Sequence, residues 1–393
     1  MAVALTIKDK TCIAGIGESG YYRRGQSPHS EFELTLQAIL AACEDAGLDP
    51  KDIDGFCSYH VERNDPVRLA NALGIRHLGF SNLVWLGGGG GGAAAVGNGC
   101  AAVAAGYARH VVAYRGLAQG QFGRFGHALA TRTERVTGPA AYSAPFGMMS
   151  PAQALGAMQA QRHMHEFGTK AEHFGAIALA SYKHAQRNPR AVMYGRPLTM
   201  DDYLRSRWIA EPLRLFDCCL ETDGAAAAVI TSTERARDMR QRPAYVMAAA
   251  QGSGYRYAAG ALNRPDLVTS NHESIAPTLW AMAGIGPADV KVAQLYENFT
   301  PLVLMTLEDY GFCDKGEGGA FVEGGRLEWP DGALPINTSG GNLAEAYTHG
   351  FELINEAVRQ VRGTSTCQVE GAEICLVASG PGVAPVSSLI LRG

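Results

Sequence analysis

Charge, basic clusters and long apolar runs are all scarce in this chain of 393 residues. Charged side chains make up 18% of it and the formal net charge is −4, which removes the electrostatic case for nucleic acid or an anionic membrane as partner. No apolar stretch reaches the roughly 18 residues that a spanning helix needs. The opening "MAVALTIKDK" has no basic region followed by an apolar core, so neither a membrane insertion nor a secretory leader is expected and the cytoplasm is the expected compartment. The cysteines number nine, an odd and scattered set, and only Cys218 and Cys219 are neighbours. Adjacency is the wrong spacing for a zinc ligand pair, so reduced, mostly buried thiols and no metal are expected.

Phosphate and dinucleotide signatures are missing too. The stretch "LVWLGGGGGGAAAVGNGC", residues 83–100, holds six consecutive glycines, Gly87–Gly92. It lacks the GxxxxGK[ST] order of a phosphate loop, and no acidic residue follows a later strand as a dinucleotide site requires. No cofactor is expected. Glycine is poor in helix and strand alike, so a run of six implies close approach to the backbone, or a side chain that has been lost.

What is present is a large apolar fraction, 47%, enough for two or three structural layers. "TCIAGIGES", "IDGFCSYH" and "HVVAYRG" read as buried strands. Between them lie helix-like segments, one opened by a Ser30–Glu33 capping pattern before "EFELTLQAILAACEDAG" and one Ala-rich over 93–106. Strands alternating with helices define an α/β protein. The same order recurs later in the chain. "AGLDPKDI" at 46–53 is echoed by "AGIGPADV" at 283–290, and "ARHVVAYRG" at 108–116 by "AEICLVASG" at 372–380. An internal duplication follows, with halves at 1–240 and 241–393 and an insertion over about 117–213 that fits neither half and includes "GQFGRFGH" and "PFGMMSP". Such a pairing brings two glycine-rich helix starts toward one centre, a location suited to an oxyanion.

Three further stretches carry polar groups at the ends of apolar strands. "LRLFDCCLETDGAAAAVITS", 213–232, is a loop running into a buried strand, with Asp223-Gly224 reading as a turn. "AQLYENFTP", 293–301, sets Tyr296, Glu297 and Asn298 just past a strand, where α/β proteins keep ligands. "SGGNLAEAYTHG", 339–350, gathers Asn342, Glu345, Tyr347 and His349 behind two glycines.

With "LVASGPGVAPVSSLIL" at the C-terminal end, these stretches resemble the thiolase superfamily, and most of all its sterol-carrier and lipid-transfer-protein branch. The resemblance spans nearly the whole chain. It implies two βαβαβαββ halves in a five-layer αβαβα arrangement with an inserted loop domain, and a homodimer. The departures are informative. The nucleophilic cysteine of thiolases falls at Gly89–Gly91; Cys100 is a poor substitute inside the following helix. Tyr347 stands where the family has a histidine, with His349 two places on. Tyr296 opens the Asn/His-Glu-Ala-Phe-type motif, and Val377-Ala378-Ser379 replace the acid/base residue ahead of Gly380.

Without the thiol no acyl-enzyme forms. The resemblance implies an oxyanion hole that does not need the thiol, built of backbone N–H groups at Gly89, Gly90 or Gly91 and at Gly380, with Asn298 lining the substrate site. That pattern resembles the thiolase-like steroid side-chain aldolases, whose two active-site tyrosines match Tyr296 and Tyr347. It implies retro-aldol cleavage of a β-hydroxyacyl-CoA to a ketone and a shorter acyl-CoA such as propionyl-CoA, with His349 or Glu345 in support. It also implies an OB-fold/zinc-ribbon partner that completes a heterotetramer. The place of the lost thiol is expected to leave room for a branched β-carbon. Two other functions fit the same residues: a non-catalytic acyl-CoA or sterol-binding subunit, and a thiolase or acyltransferase with atypical catalytic residues.

Overall fold

The computed structural model describes residues 7–85, 87–122, 141, 145, 150–257 and 266–393; "GQFGRFGH" and "PFGMMSP" lie largely outside them. In chain order its principal elements are β1 (Thr11–Glu18), α1 (Glu31–Ala46), β2 (Gly55–Tyr59), α2 (Pro66–Leu73), β3 (Phe80–Val84), α3 (Gly91–Ala104), β4 (His110–Ala118), α4 (Met158–Phe167), α5 (Ala171–Ala185) and β5 (Thr222–Ser232). Then follow β6 (Ala244–Gly252), α6 (Ala276–Ala283), β7 (Val292–Leu295), α7 (Thr300–Asp309), α8 (Phe351–Arg362), β8 (Ile374–Ser379) and β9 (Val386–Arg392).

The quoted repeat has a structural cause. Ser30 and Glu33 cap α1 reciprocally, and Gly47 ends it in the left-handed conformation (φ 70°). A short 3-10 turn, Pro50–Asp52, then feeds β2. The second half repeats the device: Gly284 ends α6 at φ 73°, and Pro287–Asp289 turns the chain into β7. Only glycine adopts that conformation cheaply, so each Ala-Gly pair marks the same exit from a helix.

The strands form one 10-stranded sheet in the order β7-β8-β9-β6-β1-β5-β4-β2-β3, with the short strand Tyr22–Arg23 added off this path. On one side β2 runs parallel to β3 and β4, and β5 is antiparallel to both β4 and β1. The other side mirrors it: β7 is parallel to β8, and β9 is antiparallel to both β8 and β6. A short seam, Cys12 with Tyr245 and Ile13 with Ala244, joins the two. In the second half the third strand is reduced to a single parallel bridge between Ala293 and Ile336.

Alternation along the strands sorts side chains into layers. Val112, Tyr114, Ala225, Ala227 and Val229 face α1 and α2. Val111, Ala113, Ala226, Ala228 and Ile230 face the middle layer, where they meet α3, α8, Val377 and Leu389. Ala248, Leu376, Ala378 and Ile390 face the layer holding α5, α6 and α7. The order is helix, one wing of the sheet, paired central helices, the other wing, helix. α3 fits between the two wings because its contact positions are small: a Cβ at Gly99 would press on Ile230 and Val111, and one at Gly97 on Ala249. The described part of the insertion contributes α4 and α5 to the outer layer over the second half.

One expectation fails. Asp223 and Gly224 lie inside β5, not in a turn, paired with Ala118 and Leu117. The Asp223 carboxylate, fully buried, accepts from the Gly25 and Gly120 N–H groups at 2.7 Å each, so it anchors two loops beside the strand. Replacing Asp223 by Ala removes both acceptors and should lower stability by about 2–4 kcal/mol, read as a fall in the urea midpoint.

Candidate active site

Both tyrosines are held by backbone pairing. Tyr296 directly follows β7, and its N–H donates to the Ala378 carbonyl (2.9 Å), extending the β7–β8 ladder by one residue. Tyr347 sits between the Gly340–Gly341 turn and α8. Its N–H donates to Thr222 Oγ1 (2.8 Å), and that hydroxyl donates back to the Tyr347 carbonyl (3.1 Å), fixing it to the start of β5. The two phenol oxygens are 2.8 Å apart. The rings meet edge to face with centroids 6.2 Å apart, and the residues are only 3% and 6% exposed. Leu117 and Leu353 complete this apolar cluster, with Cys219 and Leu220 packed against it.

The glycine run meets this pair directly. Gly87 and Gly88 take positive φ (77° and 46°), and a 3-10 turn over Gly88–Gly90 opens α3. A Cβ at Gly89 would overlap the Tyr296 ring, and so would one at Gly350, where φ is 84°. The ring is therefore slotted between two glycines. This corrects the expectation of free room at the missing thiol: Tyr296 occupies the space. Gly380, at φ 70°, lies backbone to backbone on Gly89 and Gly90, and a Cβ there would overlap Gly90. A Cβ at Gly90 would strike the Pro385 carbonyl, and one at Gly91 the Tyr59 side chain. The two glycine stretches thus come together beside the tyrosines. Ser379, at the position of the missing acid/base residue, accepts from the Ala93 N–H (3.3 Å).

The other sequence candidates fall into two groups. His349 is beside the pair: its ring centroid is 5.7 Å from that of Tyr347, its φ is 61°, and Tyr59 donates to its carbonyl (2.9 Å). Burial, with Arg115 and His60 nearby, holds its imidazole well below the usual range and so neutral. Glu345 makes its hydrogen bonds elsewhere, accepting from Asn188 Nδ2 (2.8 Å) and Arg190 (3.5 Å). Asn298 and Asn342 hold the 218–220 segment against the cluster through their carbonyls, which accept from the Cys219 N–H (3.1 Å) and the Leu220 N–H (2.9 Å).

Electrostatically the site is starved of water. Burial drives the phenols of Tyr296 and Tyr347 well above their ordinary value, so both are protonated at rest. Burial also pushes Glu297 up to about 8, with Asn342 Nδ2 donating to it (2.9 Å). Glu352, in the first turn of α8, is pushed up to about 8 as well and accepts from the Thr348 hydroxyl and N–H. Glu352, Tyr59 and Gly350 were not among the sequence candidates, although Tyr59 lies in "IDGFCSYH" and Gly350 closes "SGGNLAEAYTHG". All nine cysteines are free. Burial raises Cys219, against the tyrosines, well above its ordinary value, and Cys100 to about 12, which works against a thiolate nucleophile. Among the described residues no group of three or more His, Cys, Asp or Glu is placed to hold a metal ion, and no helix is long and apolar enough to cross a membrane.

The glycine turn that opens α3, meeting the Gly380 loop between β8 and β9 within a duplicated five-layer core, defines a thiolase-type site. The chain belongs to the thiolase superfamily, in its branch of steroid side-chain-cleaving aldolases. Residues 253–392 match the family described as thiolase C-terminal domain-like. Over 390 residues the chain is 45% identical to the 17-hydroxy-3-oxo-4-pregnene-20-carboxyl-CoA lyase of Mycobacterium tuberculosis, covering 98% of this chain and 100% of that one. It is 44% identical to the steroid side-chain-cleaving aldolase of Thermomonospora curvata, covering 96% and 97%. Among solved structures, the Ltp2-ChsH2(DUF35) aldolase superposes with a TM-score of 0.91 at 42% identity, over 99% of both chains.

Two outcomes follow from this packing. Gly89→Ala should displace Tyr296 and cut turnover by at least about 100-fold, measured in steady-state kinetics. For Glu297, a carboxyl near its usual range when unfolded and at about 8 when folded, folding takes up a proton, so stability falls as pH rises through that window. Glu297→Gln should therefore show a smaller decline in thermal midpoint between about pH 6 and pH 9 than the parent chain.

Proposed function

We propose that this chain is a retro-aldolase that cleaves a β-hydroxyacyl-CoA, carried on a steroid side chain, into a ketone and a shorter acyl-CoA such as propionyl-CoA. The observation that carries the reading is the direct hydrogen bond between the Tyr296 and Tyr347 hydroxyls, set beside a glycine where a thiolase holds its nucleophile. A retro-aldol cleavage needs no nucleophile. It releases one proton from the β-hydroxyl and consumes one at the α-carbon.

With both phenols protonated at rest, a free phenolate base is not available, but a pair can relay. One phenol oxygen takes the proton of the β-hydroxyl while its own passes to the second, and the second protonates the α-carbon. The Cα–Cβ bond breaks, the β-carbon becomes the ketone, and the pair ends with the protons it began with. Either tyrosine can face the hydroxyl. For the enolate oxygen formed between these steps the proposed donors are the backbone N–H groups of Gly89 and Gly380, beside the positive end of α3. The expectation for Gly90 and Gly91 is corrected, because their N–H groups donate within the turn to the Gly87 and Gly88 carbonyls. Neutral His349 adds polarity without a competing charge, and Glu345 supports its segment through Asn188 and Arg190. Asn298 lines the same strand end.

The acyl-CoA assignment draws support from a cavity of about 580 Å³ whose lining includes Arg196, Arg205, Arg207 and Asp202 with Tyr182, Leu215 and Phe216. Three guanidinium groups beside aromatic side chains suit a phosphorylated nucleotide end, and Phe216 lies three residues before Cys219. A homodimer is supported by β3, an edge strand that exposes Leu83 (49%), with Trp85 (78%) just beyond it; an apolar open edge calls for a partner. The two-component name of the Ltp2-ChsH2(DUF35) aldolase supports a second subunit; that this subunit is an OB-fold/zinc-ribbon protein completing a heterotetramer is what the family resemblance implies. Free thiols throughout fit a reducing, cytoplasmic setting.

The test is to incubate the chain, with and without such a partner, with a tertiary β-hydroxyacyl-CoA and to assay both products. Ketone and shortened acyl-CoA should appear together, and their absence from both mixtures would overturn the proposal. Tyr296→Phe and Tyr347→Phe should each lower kcat by about 10²–10⁴-fold, while iodoacetamide leaves the activity of the parent chain intact. Unchanged activity in the double variant would instead leave the tyrosines as pocket filling.

A further inference from the structure

A second polar cluster, on the far side of the Gly380 loop, is unused by the mechanism above. Residues Thr269–His272 precede α6 and grip the loop at two points. The Ser270 carbonyl accepts from the Gly382 N–H (2.9 Å), and Asn271 Nδ2 donates to the Val383 carbonyl (2.9 Å). Asn271 itself is held in the left-handed region at φ 77°, a conformation that costs a non-glycine residue about 1 kcal/mol. Its Oδ1 accepts from the Gly254 N–H (2.8 Å), so one amide side chain ties together the end of β6 and the glycine loop.

The grip has a buried charged base. Asp309, at the end of α7, accepts from the Thr269 hydroxyl (2.9 Å), the Ser270 N–H (2.9 Å) and the Ser270 hydroxyl (2.7 Å), with Lys315 Nζ at 3.1 Å from its other oxygen. The Ser270 hydroxyl also meets His272 Nδ1 (2.9 Å). This arrangement shares its residue types with a hydrolytic triad but not its roles. The serine sits between the acid and the histidine instead of at the end of the chain, and Ser270 and His272 are fully buried.

Resting on the retro-aldolase reading, we infer that Asn271 is a positioning residue for the oxyanion hole: it fixes the Gly380–Val383 loop against the Gly89–Gly90 turn so that the two backbone donors face one oxygen. The argument is geometric. Gly380 touches the backbone of Gly90 without room for a methyl group, so the two stretches have one mutual placement. Nothing inside the loop enforces that placement: its only internal backbone bond is from the Val383 N–H to the Gly380 carbonyl, a long 3.4 Å. Ser379 and Ser387 tether the flanks of the loop to the start of α3, accepting from the Ala93 and Ala94 N–H groups, and the external holds on Gly382 and Val383 fix the stretch between them. A donor pair displaced by about 1 Å loses much of its stabilisation of a developing oxyanion while ground-state binding is little changed.

The experiment compares the parent chain with Asn271→Gly and Asn271→Asp. Glycine keeps the positive φ and drops the amide; aspartate keeps an acceptor for Gly254 but presents oxygen to the Val383 carbonyl. Two affinities are measured by calorimetry, for a neutral acyl-CoA and for a CoA analogue whose carboxylate replaces the thioester and copies the enolate oxygen. Both variants should bind the analogue about 10-fold or more weakly and the neutral acyl-CoA within about 3-fold of the parent, with kcat falling in step with analogue affinity and KM held. Parent-like analogue affinity in either folded variant, or an equal loss of both affinities, would overturn the inference. A parent chain that binds the analogue yet releases no ketone would count against the retro-aldolase reading alone, because the two affinities still test the role of Asn271.

Discussion

The chemistry of this molecule depends on one steric fact: the Tyr296 ring fills the volume that any side chain at residue 89 would need. Gly350 closes the slot from the other side. A side chain at residue 89 and this tyrosine therefore exclude one another, so the glycine and the phenol form one steric arrangement. The glycine turn still opens a helix between the two wings of the sheet, so its backbone dipoles remain in place. In the proposed reaction the scaffold does without covalent catalysis and relies on a preorganised place for negative charge.

Burial then sets the protonation of everything around that place. Two phenols, Glu297 and Glu352 are all held toward their neutral forms, and His349 is held neutral from the opposite direction. A site with so little standing charge favours concerted passage of a proton over its storage on one base. It also suits an apolar polycyclic substrate, which would not have to displace hydrated ions.

Much of this was legible in the chain. Each Ala-Gly exit from a helix, each Pro-Asp turn and the strand after it could be read because local chemistry dictates them. Tyr296 and Tyr347 stand at a strand end and behind a glycine pair, but it was the family resemblance that singled them out as a pair. Asp223-Gly224 misled, since a turn dipeptide was overridden by a buried carboxylate serving two distant loops. The occupied slot at Gly89 was beyond sequence reading for a related reason. Residues 89, 296 and 350 meet only through the pairing of two halves, and nothing local records which of them fills the space. The hold of Asn271 on Val383 spans 112 positions and leaves no periodic trace.

The near-absence of a third strand in the second half has a consequence for assembly. On that side β7 is flanked by the Pro335–Asn337 segment, whose backbone already occupies Ala293, and proline offers no N–H for further pairing. Among the described residues the main sheet therefore has an open margin only at β3. In the proposed homodimer, joining two copies margin to margin across a two-fold axis would leave no second margin through which a fibre could propagate.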